Sequence, residues 1–349
     1  MASRATNCLT KADPRFLEDV HFCEMYFKAA VLFLDGVKTT GETRYNSWNQ
    51  CYDYFRASSA ATLTAKKDEA ALRLAFYLAS WGMYRGSSFV LQYDYKIYED
   101  LIPQLLAPKY AALWDIDAEI DEVTPTTLNV FLNKTSTLLM ELFNEINDHL
   151  KPSKKRTATK SYFTKGNAVP DVSTTLITKL VLGTLGCFPA LDQYFCNAIG
   201  ACGNGLKQDQ IKVILRLAYY IKKNVTLPAE VSSYPVMKLI DMYYFTMGLE
   251  KAFLKLVADL IDGKSIKSLE GKDARLLRDF ILDNGHGGYT VNVAFPCHSC
   301  TVSCSDCIIR KKTEYTDEYT DKIKEICNNK AAIQEKLKKG KNTEDGAEI

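Results

Sequence analysis

The sequence has no long apolar run and almost no excess of charge. Its longest apolar stretches, such as residues 29–34, are far shorter than the roughly 20 residues that a membrane-spanning helix needs. Lysine and arginine number 44 and aspartate and glutamate 42, so the net charge is +2. We therefore expect no membrane span, and a surface for a polyanion has to be a local patch.

The first residues contain no apolar segment of the kind that forms a secretory signal, which favours an intracellular, cytoplasmic location. Cysteine, in contrast, is abundant, with 11 in the chain. In a reducing compartment these cysteines are expected to be reduced thiols or metal ligands rather than a disulfide framework. The apolar share of 47% and the charged share of 25% are those of an ordinary globular protein.

Apolar residues recur every three or four positions along most of the chain, which predicts an all-α fold. The clearest helix lies within residues 171–195, where Ser173 or Thr174 can cap its start and Gly186 can end it. Further helices are predicted over residues 14–34, 45–55, 68–83, 95–106, 126–150, 209–223, 234–247, 249–261, 272–282 and 315–339. Residues 289–295 alternate like a single strand.

A basic segment, residues 151–168, interrupts this pattern, because five of its first ten residues are lysine or arginine among proline, serine and threonine. Such a composition predicts a linker or loop. We therefore expect two helical lobes with a central cleft, residues 1–150 and 169–295. Residues 296–349 would form a Cys-rich segment, a charged helix and a disordered tail.

The segment from residue 297 to 307 carries four cysteines with the spacing C-x-x-C-x-x-x-C-x-x-C. Thiolates held this close together suit a tetrahedral Zn²⁺ or a 4Fe-4S cluster, and the neighbouring His298 can replace one of them. Alternatively, these residues lie on a buried helix face or are thiols that oxidise when exposed. The predicted metal ligands are Cys297, Cys300, Cys304 and Cys307.

Two further segments carry residues suited to a nucleic acid. In residues 81–88 two glycines bracket an aromatic and an arginine side chain, and two serines follow. These groups can stack on a ring or hold an anion, although the segment can equally be a helix C-cap with a packed tryptophan. The basic segment can contact phosphates or can simply be a solvated linker. The candidate contact residues are Trp81, Tyr84, Arg85, Ser87, Lys154, Lys155, Arg156 and Lys160.

Lys179 and Asp192 interrupt an otherwise apolar stretch, so each must be solvated, paired or used in chemistry. A buried lysine can be a nucleophile, and a carboxylate can stabilise a developing cation. Alternatively, Lys179 reaches solvent while Asp192 caps the helix that follows. Asp241 also lies among apolar residues, and it can pair with Lys238 or accept a structural hydrogen bond.

The run from Thr178 to Asp192, TKLVLGTLGCFPALD, resembles the catalytic region of the helix–hairpin–helix DNA glycosylases. The resemblance implies that Asp192 stabilises an oxocarbenium-like sugar and that Lys179 is the amine that attacks it. Some members carry a four-cysteine iron–sulfur module after the helical domain, a position similar to that of residues 297–307. Residues 167–171 lack the glycine pair of the family's hairpin.

From this resemblance we expect a DNA N-glycosylase that acts on duplex DNA, flips a modified base out of the stack and cleaves its N-glycosidic bond. The main alternative is a non-catalytic, metal-stabilised helical protein that binds a nucleic acid or a protein partner. A third alternative is an enzyme acting on a small molecule, with Arg85 as its anion clamp. The oligomeric state is left open.

Overall fold

The computed structural model describes residues 14–39, 44–85, 88–161, 172–199, 206–261, 281–283 and 289–291. Within these residues the chain is almost entirely helical, which confirms the predicted all-α class. The helices are α1 (Pro14–Asp19), α2 (Glu24–Thr39), α3 (Asn46–Ala57), α4 (Ala60–Ala65), α5 (Lys67–Ser80), α6 (Leu101–Leu105), α7 (Ala111–Trp114), α8 (Ile116–Asp121), α9 (Leu128–Ser161), α10 (Thr174–Thr184), α11 (Gln193–Ile199), α12 (Gln208–Asn224) and α13 (Val236–Ile261).

Two short strands, β1 (Ile281–Asp283) and β2 (Tyr289–Val291), pair antiparallel, with Ile281 opposite Val291. The sequence places Ile281 and Leu282 at the end of a helix and leaves the strand at residue 289 alone, and both expectations are wrong. A strand is stable only when a neighbour shares its backbone hydrogen bonds, and β1 supplies that neighbour.

Helix α9 continues to Ser161, beyond the predicted end at residue 150. The first part of the basic segment is therefore helical rather than a loop. Lysine and arginine have high helix propensity, so a run of them extends a helix that already exists. Residues 162–168, the rest of the predicted linker, lie outside the described part of the chain.

The buried residues on both sides of the basic segment form one continuous core. Helix α10 packs on α3 and α5, α12 packs on α8 and α9, and α13 packs on α2. Hydrogen bonds also join the two halves, since Trp48 Nε1 donates to the Leu182 carbonyl at 2.9 Å and the Tyr243 hydroxyl donates to the His21 carbonyl at 2.6 Å. The predicted boundary at residues 151–168 therefore does not coincide with a gap in the core.

No helix among the described residues combines the length and the apolar character that a membrane crossing requires.

Candidate functional site

The connector between α10 and α11, residues 185–192, is non-helical and mostly buried. It begins at Gly186, whose φ of +67° is the left-handed conformation predicted for this glycine. Buried backbone N–H groups need acceptors. Asp241 Oδ1 accepts from the N–H of Ala190 at 3.0 Å, and Thr178 Oγ1 accepts from the N–H of Leu191 at 2.9 Å. Polar side chains thus hold this connector inside the core.

Lys179, in the middle of α10, lies close to Asp192, the last residue of this connector. Lys179 Nζ lies 3.6 Å from Asp192 Oδ2, with side-chain exposures of 5% and 15%, and it donates to the Trp81 carbonyl at 3.5 Å. Asp192 Oδ1 accepts from the N–H groups of Tyr194 and Phe195, at 3.0 Å each, and so caps α11. The capping alternative is therefore confirmed for Asp192, whereas Lys179 does not reach solvent.

Burial shifts the pKa of both members of this pair. It lowers the pKa of Lys179, opposed by the carboxylates of Asp192 and Asp241. It raises the pKa of Asp192, opposed by the Lys179 ammonium and by hydrogen bonds from the backbone of α11. Both shifts have the same cause, because an apolar environment disfavours the charged form of each group. Perturbed pairs of this kind occur at functional sites and also in structural ion-pair networks.

A second ion pair lies close to the first. Lys238 Nζ is 2.9 Å from Asp241 Oδ2. Three cationic groups surround the Trp81 indole ring: Lys179 at 5.0 Å, Arg44 at 5.3 Å and Lys238 at 5.9 Å from its centroid. These distances are within the range of cation–π attraction. The site therefore contains three cations and two carboxylates around one tryptophan.

A pocket of about 350 Å³, measured out to its opening into solvent, lies beside Trp81. Lys238 and Asp241 border it, whereas Lys179 and Asp192 do not. Its other walls are aromatic or apolar side chains from α2 and α13, from the residues just before α3 and α13 and from the turn after α5. The side chain of Asn49 on α3 adds one amide. The lining residues are Leu34, Tyr45, Asn49, Trp81, Tyr234, Lys238, Asp241, Met242 and Phe245.

The turn after α5 has the geometry of a Schellman C-cap. Gly82 has a φ of +74°, and the N–H of Met83 donates to the Leu78 carbonyl at 2.9 Å. The C-cap alternative for this segment is therefore confirmed. Trp81 enters the pocket wall from this turn, but Tyr84 and Arg85 do not line the pocket, so the structure does not bring these two residues to the site.

Among the residues that the structure describes, none of the other candidate residues lines the pocket. Ser87 lies outside the described residues, as do all four predicted metal ligands, Cys297, Cys300, Cys304 and Cys307. Lys154, Lys155, Arg156 and Lys160 lie on α9, and the structure describes only their backbone. Where the structure describes side chains, no group of histidine, cysteine, aspartate or glutamate is arranged to hold a metal ion.

Four cysteines have described surroundings. Cys51 and Cys187 are buried free thiols, and Cys23 is half-buried. Cys196 is disulfide-bonded, and its partner lies outside the described residues, so the expectation of reduced thiols is wrong at this position. Cys196 lies on α11, where its backbone N–H donates to the Asp192 carbonyl at 2.9 Å.

Sequence reasoning missed most of the pocket. The pocket residues Tyr45, Asn49 and Phe245 carry no local pattern that sets them apart from other core or surface residues, and neither does Arg44 beside the Trp81 ring. The sequence does indicate the pairing of Lys238 with Asp241, because two opposite charges three residues apart in an apolar helix have few other partners.

Comparison of the chain with family models, curated proteins and solved structures gives no match. The functional argument therefore depends on the geometry of the site.

Proposed function

We propose that this protein is a helical binding protein that holds a nucleotide unit of a nucleic acid in the pocket beside Trp81. The observation that carries the proposal is the clustering of Arg44, Lys179 and Lys238 within 6 Å of one indole ring that borders an aromatic pocket. The whole chain has a net charge of only +2, so this cluster is a local positive feature.

The chemistry of the pocket fits a ligand that is both anionic and aromatic. Among the described side chains of the site, three cations lie near two carboxylates, which favours a negatively charged ligand. Tyr45, Tyr234 and Phe245 line the pocket and offer aromatic surface. Nucleic-acid-binding proteins combine cations for phosphate with aromatic rings for bases.

The carboxylates of the site are engaged in structure, which supports binding rather than chemistry. Asp241 accepts from the Ala190 N–H and from Lys238. Asp192 caps α11 with one oxygen and faces Lys179 with the other. Carboxylates engaged in this way fix the connector and the pocket wall.

The test is a binding titration of single-stranded and duplex oligonucleotides at several salt concentrations. We expect the affinity to fall as salt rises, because phosphate contacts release counterions. Lys238→Met should weaken binding severalfold and lower the salt slope by about one, while Lys238→Arg should retain most of the affinity. The matched control is Lys212→Met, which removes an α12 lysine that lies 4.0 Å from Asp209. An unchanged affinity in Lys238→Met, or no binding by the wild type, would refute the proposal.

A second candidate function is DNA base excision, as implied by the resemblance to helix–hairpin–helix glycosylases. The observation that favours it is the Lys179–Asp192 pair, held largely out of water at 3.6 Å. In this reading Asp192 stabilises the sugar cation as the N-glycosidic bond breaks, and Lys179 supplies an amine with a lowered pKa. Access of the sugar to this pair would require Trp81 to move, because Lys179 lies under its ring and carbonyl.

The excision assay uses duplexes with modified and unmodified bases, followed by alkaline cleavage of abasic sites. Asp192→Asn should abolish base release and leave duplex affinity within a few fold, because asparagine caps a helix as well as aspartate does. The control is Asp209→Asn, since the Asp209 side chain is 96% exposed. Excision at the wild-type rate in Asp192→Asn would eliminate the catalytic role of Asp192. Failure of the wild type to release any base would leave the binding function alone.

A further inference from the structure

The indole N–H of Trp81 differs from those of the other two tryptophans. Trp48 Nε1 donates to the Leu182 carbonyl and Trp114 Nε1 donates to the Leu105 carbonyl, both at 2.9 Å. Trp81 Nε1 is buried and has no acceptor within the part of the chain that the structure describes. A buried donor without an acceptor destabilises the folded protein. Because Trp81 lines the pocket, a ligand bound there can supply the missing acceptor.

The charges around Trp81 decide which acceptor fits. Lys179, Arg44 and Lys238 all lie within 6 Å of the centroid of the Trp81 ring. Lys238 uses one of its ammonium donors for Asp241, and an ammonium group has three. An anionic oxygen beside the indole N–H would gain charge-assisted hydrogen bonds, which are about twice as strong as neutral ones.

Aromatic neighbours already surround the indole of Trp81. Tyr45 and Phe245 contact it edge-to-face, with centroid distances of 5.4 and 5.6 Å and interplanar angles of 84° in both cases. These two rings and the three cations occupy the space beside the indole ring in which a base would have to stack. The indole therefore suits hydrogen bonding through its N–H better than stacking through its face.

We propose that the pocket binds the phosphate group of the nucleotide, with one phosphate oxygen accepting the Trp81 indole N–H and others close to the Lys238 ammonium. This inference rests on the proposed nucleotide-binding function and assigns the part of the ligand that enters the pocket. The base lies outside the contact with Trp81. Asp241 opposes the phosphate electrostatically, and its pairing with Lys238 reduces that repulsion.

The experiment follows the indole N–H groups directly in the full-length chain labelled with ¹⁵N-tryptophan. The sequence has 3 tryptophans, so the spectrum contains three indole resonances, and the one missing in Trp81→Phe belongs to Trp81. The probes are inorganic phosphate, adenosine and adenosine monophosphate, titrated separately. Trp114→Phe is the matched control, because Trp114 lies away from the pocket and has its own acceptor.

We expect inorganic phosphate and adenosine monophosphate to shift the Trp81 resonance and adenosine to leave it in place. Trp81→Phe should weaken binding of the monophosphate about tenfold or more, since a hydrogen bond to a charged group is lost. Asp241→Asn keeps an acceptor for Ala190 and removes a negative charge, so it should tighten phosphate binding about fivefold. Trp114→Phe should bind as the wild type does.

The outcomes separate the phosphate site from the proposed function. If oligonucleotides bind while the Trp81 resonance stays unmoved at saturation, or if adenosine shifts it as much as the monophosphate does, the phosphate assignment is wrong and nucleic-acid binding stands. If inorganic phosphate alone shifts the resonance and no nucleotide or oligonucleotide binds, the pocket is a free-phosphate site and the proposed function is wrong. If none of these probes binds, both fail.

Discussion

Lys179 shows how a sequence can mark a single residue as unusual without predicting which groups surround it. The sequence marks it as a charge inside an apolar helix, and it allows either burial or a path to solvent. The structure buries the side chain, at 5% exposure, because Asp192 and the Trp81 carbonyl together satisfy the ammonium group. Trp81 follows α5, far away in the sequence, so no local pattern could have identified this partner.

Removal of the lysine from the Lys179–Asp192 pair should lower the stability of the protein more than removal of a lysine from a more accessible ion pair. We expect Lys179→Met to lower the free energy of unfolding by about 3 kcal/mol, because Asp192 is left as a mostly buried, unpaired charge. The double variant Lys179→Met/Asp192→Asn should lose less than the sum of the single losses, by about 1–2 kcal/mol. Urea denaturation measures all three variants.

The control for this cycle is the more accessible pair Lys28–Glu24 on α2, with side-chain exposures of 34% and 41% and an Nζ–Oε1 distance of 2.7 Å. Lys28→Met should change stability by no more than about 0.5 kcal/mol, because solvent screens exposed pairs. Strictly additive losses in the double variant would show that Lys179 and Asp192 are not coupled.

The lowered pKa of Lys179 predicts a pH dependence of stability. Between that lowered value and 10.5, the folded chain binds fewer protons at Lys179 than the unfolded chain does. The contribution of Lys179 to the free energy of unfolding therefore rises with pH between these two pKa values. The difference in unfolding free energy between wild type and Lys179→Met should grow as the pH rises towards 10.5. A difference that shrinks over this range would contradict the assignment.

At the scale of elements, local sequence signals predicted several helix ends but did not predict which helices pack against each other. Gly82 and Gly186 adopt positive φ at the ends of α5 and α10, as glycine allows without steric cost. Helix α9, however, continues through lysines and arginines that a composition rule assigns to a linker. The high helix propensity of lysine and arginine explains why α9 continues to Ser161, whereas the composition of the segment predicted a loop there.

Gly248 on α13 lies directly against the backbone of Tyr194 on α11, and it provides a test of the packing of these two helices. A Cβ at this position would lie 1.9 Å from the Tyr194 carbonyl oxygen, a backbone atom that cannot move aside. We therefore expect Gly248→Ala to destabilise the protein by about 1–3 kcal/mol, because α11 would be pushed away from α13. Chemical denaturation measures the loss.

The matched substitution is Gly36→Ala in α2, where a Cβ would meet nothing within 4 Å. Alanine there should stabilise the protein by about 0.5–1 kcal/mol, since glycine is a poor helix former. Equal effects of the two substitutions would mean that helix propensity, and not contact between α11 and α13, decides the result at Gly248.

At the scale of the whole molecule, the described core does not separate into the two lobes that the sequence suggested. Helices before and after the basic segment share their buried faces, with α10 on α3 and α5 and α13 on α2. The pocket has the same origin, because Tyr45 and Trp81 come from the first half and Lys238 and Asp241 from the second. A pocket built in this way exists only when both halves are folded together.

Fragments cut within the basic segment should therefore not fold independently. We expect residues 1–168 and residues 169–349, expressed separately, to lack a cooperative unfolding transition, because each would expose the apolar face that the other covers. Circular dichroism during urea titration measures this. A fragment that unfolds cooperatively, with a midpoint close to that of the full chain, would support separate lobes after all.

The sequence by itself determined the helical class, the positions of several helix ends and the presence of three charges, Lys179, Asp192 and Asp241, in apolar surroundings. These follow from apolar periodicity, from glycine conformation and from the cost of placing a charge in an apolar run. Only the tertiary structure decided which groups meet around Trp81, because Arg44, Lys179 and Lys238 come from distant parts of the chain. Packing of the shared core brings them together, and no local pattern encodes that contact.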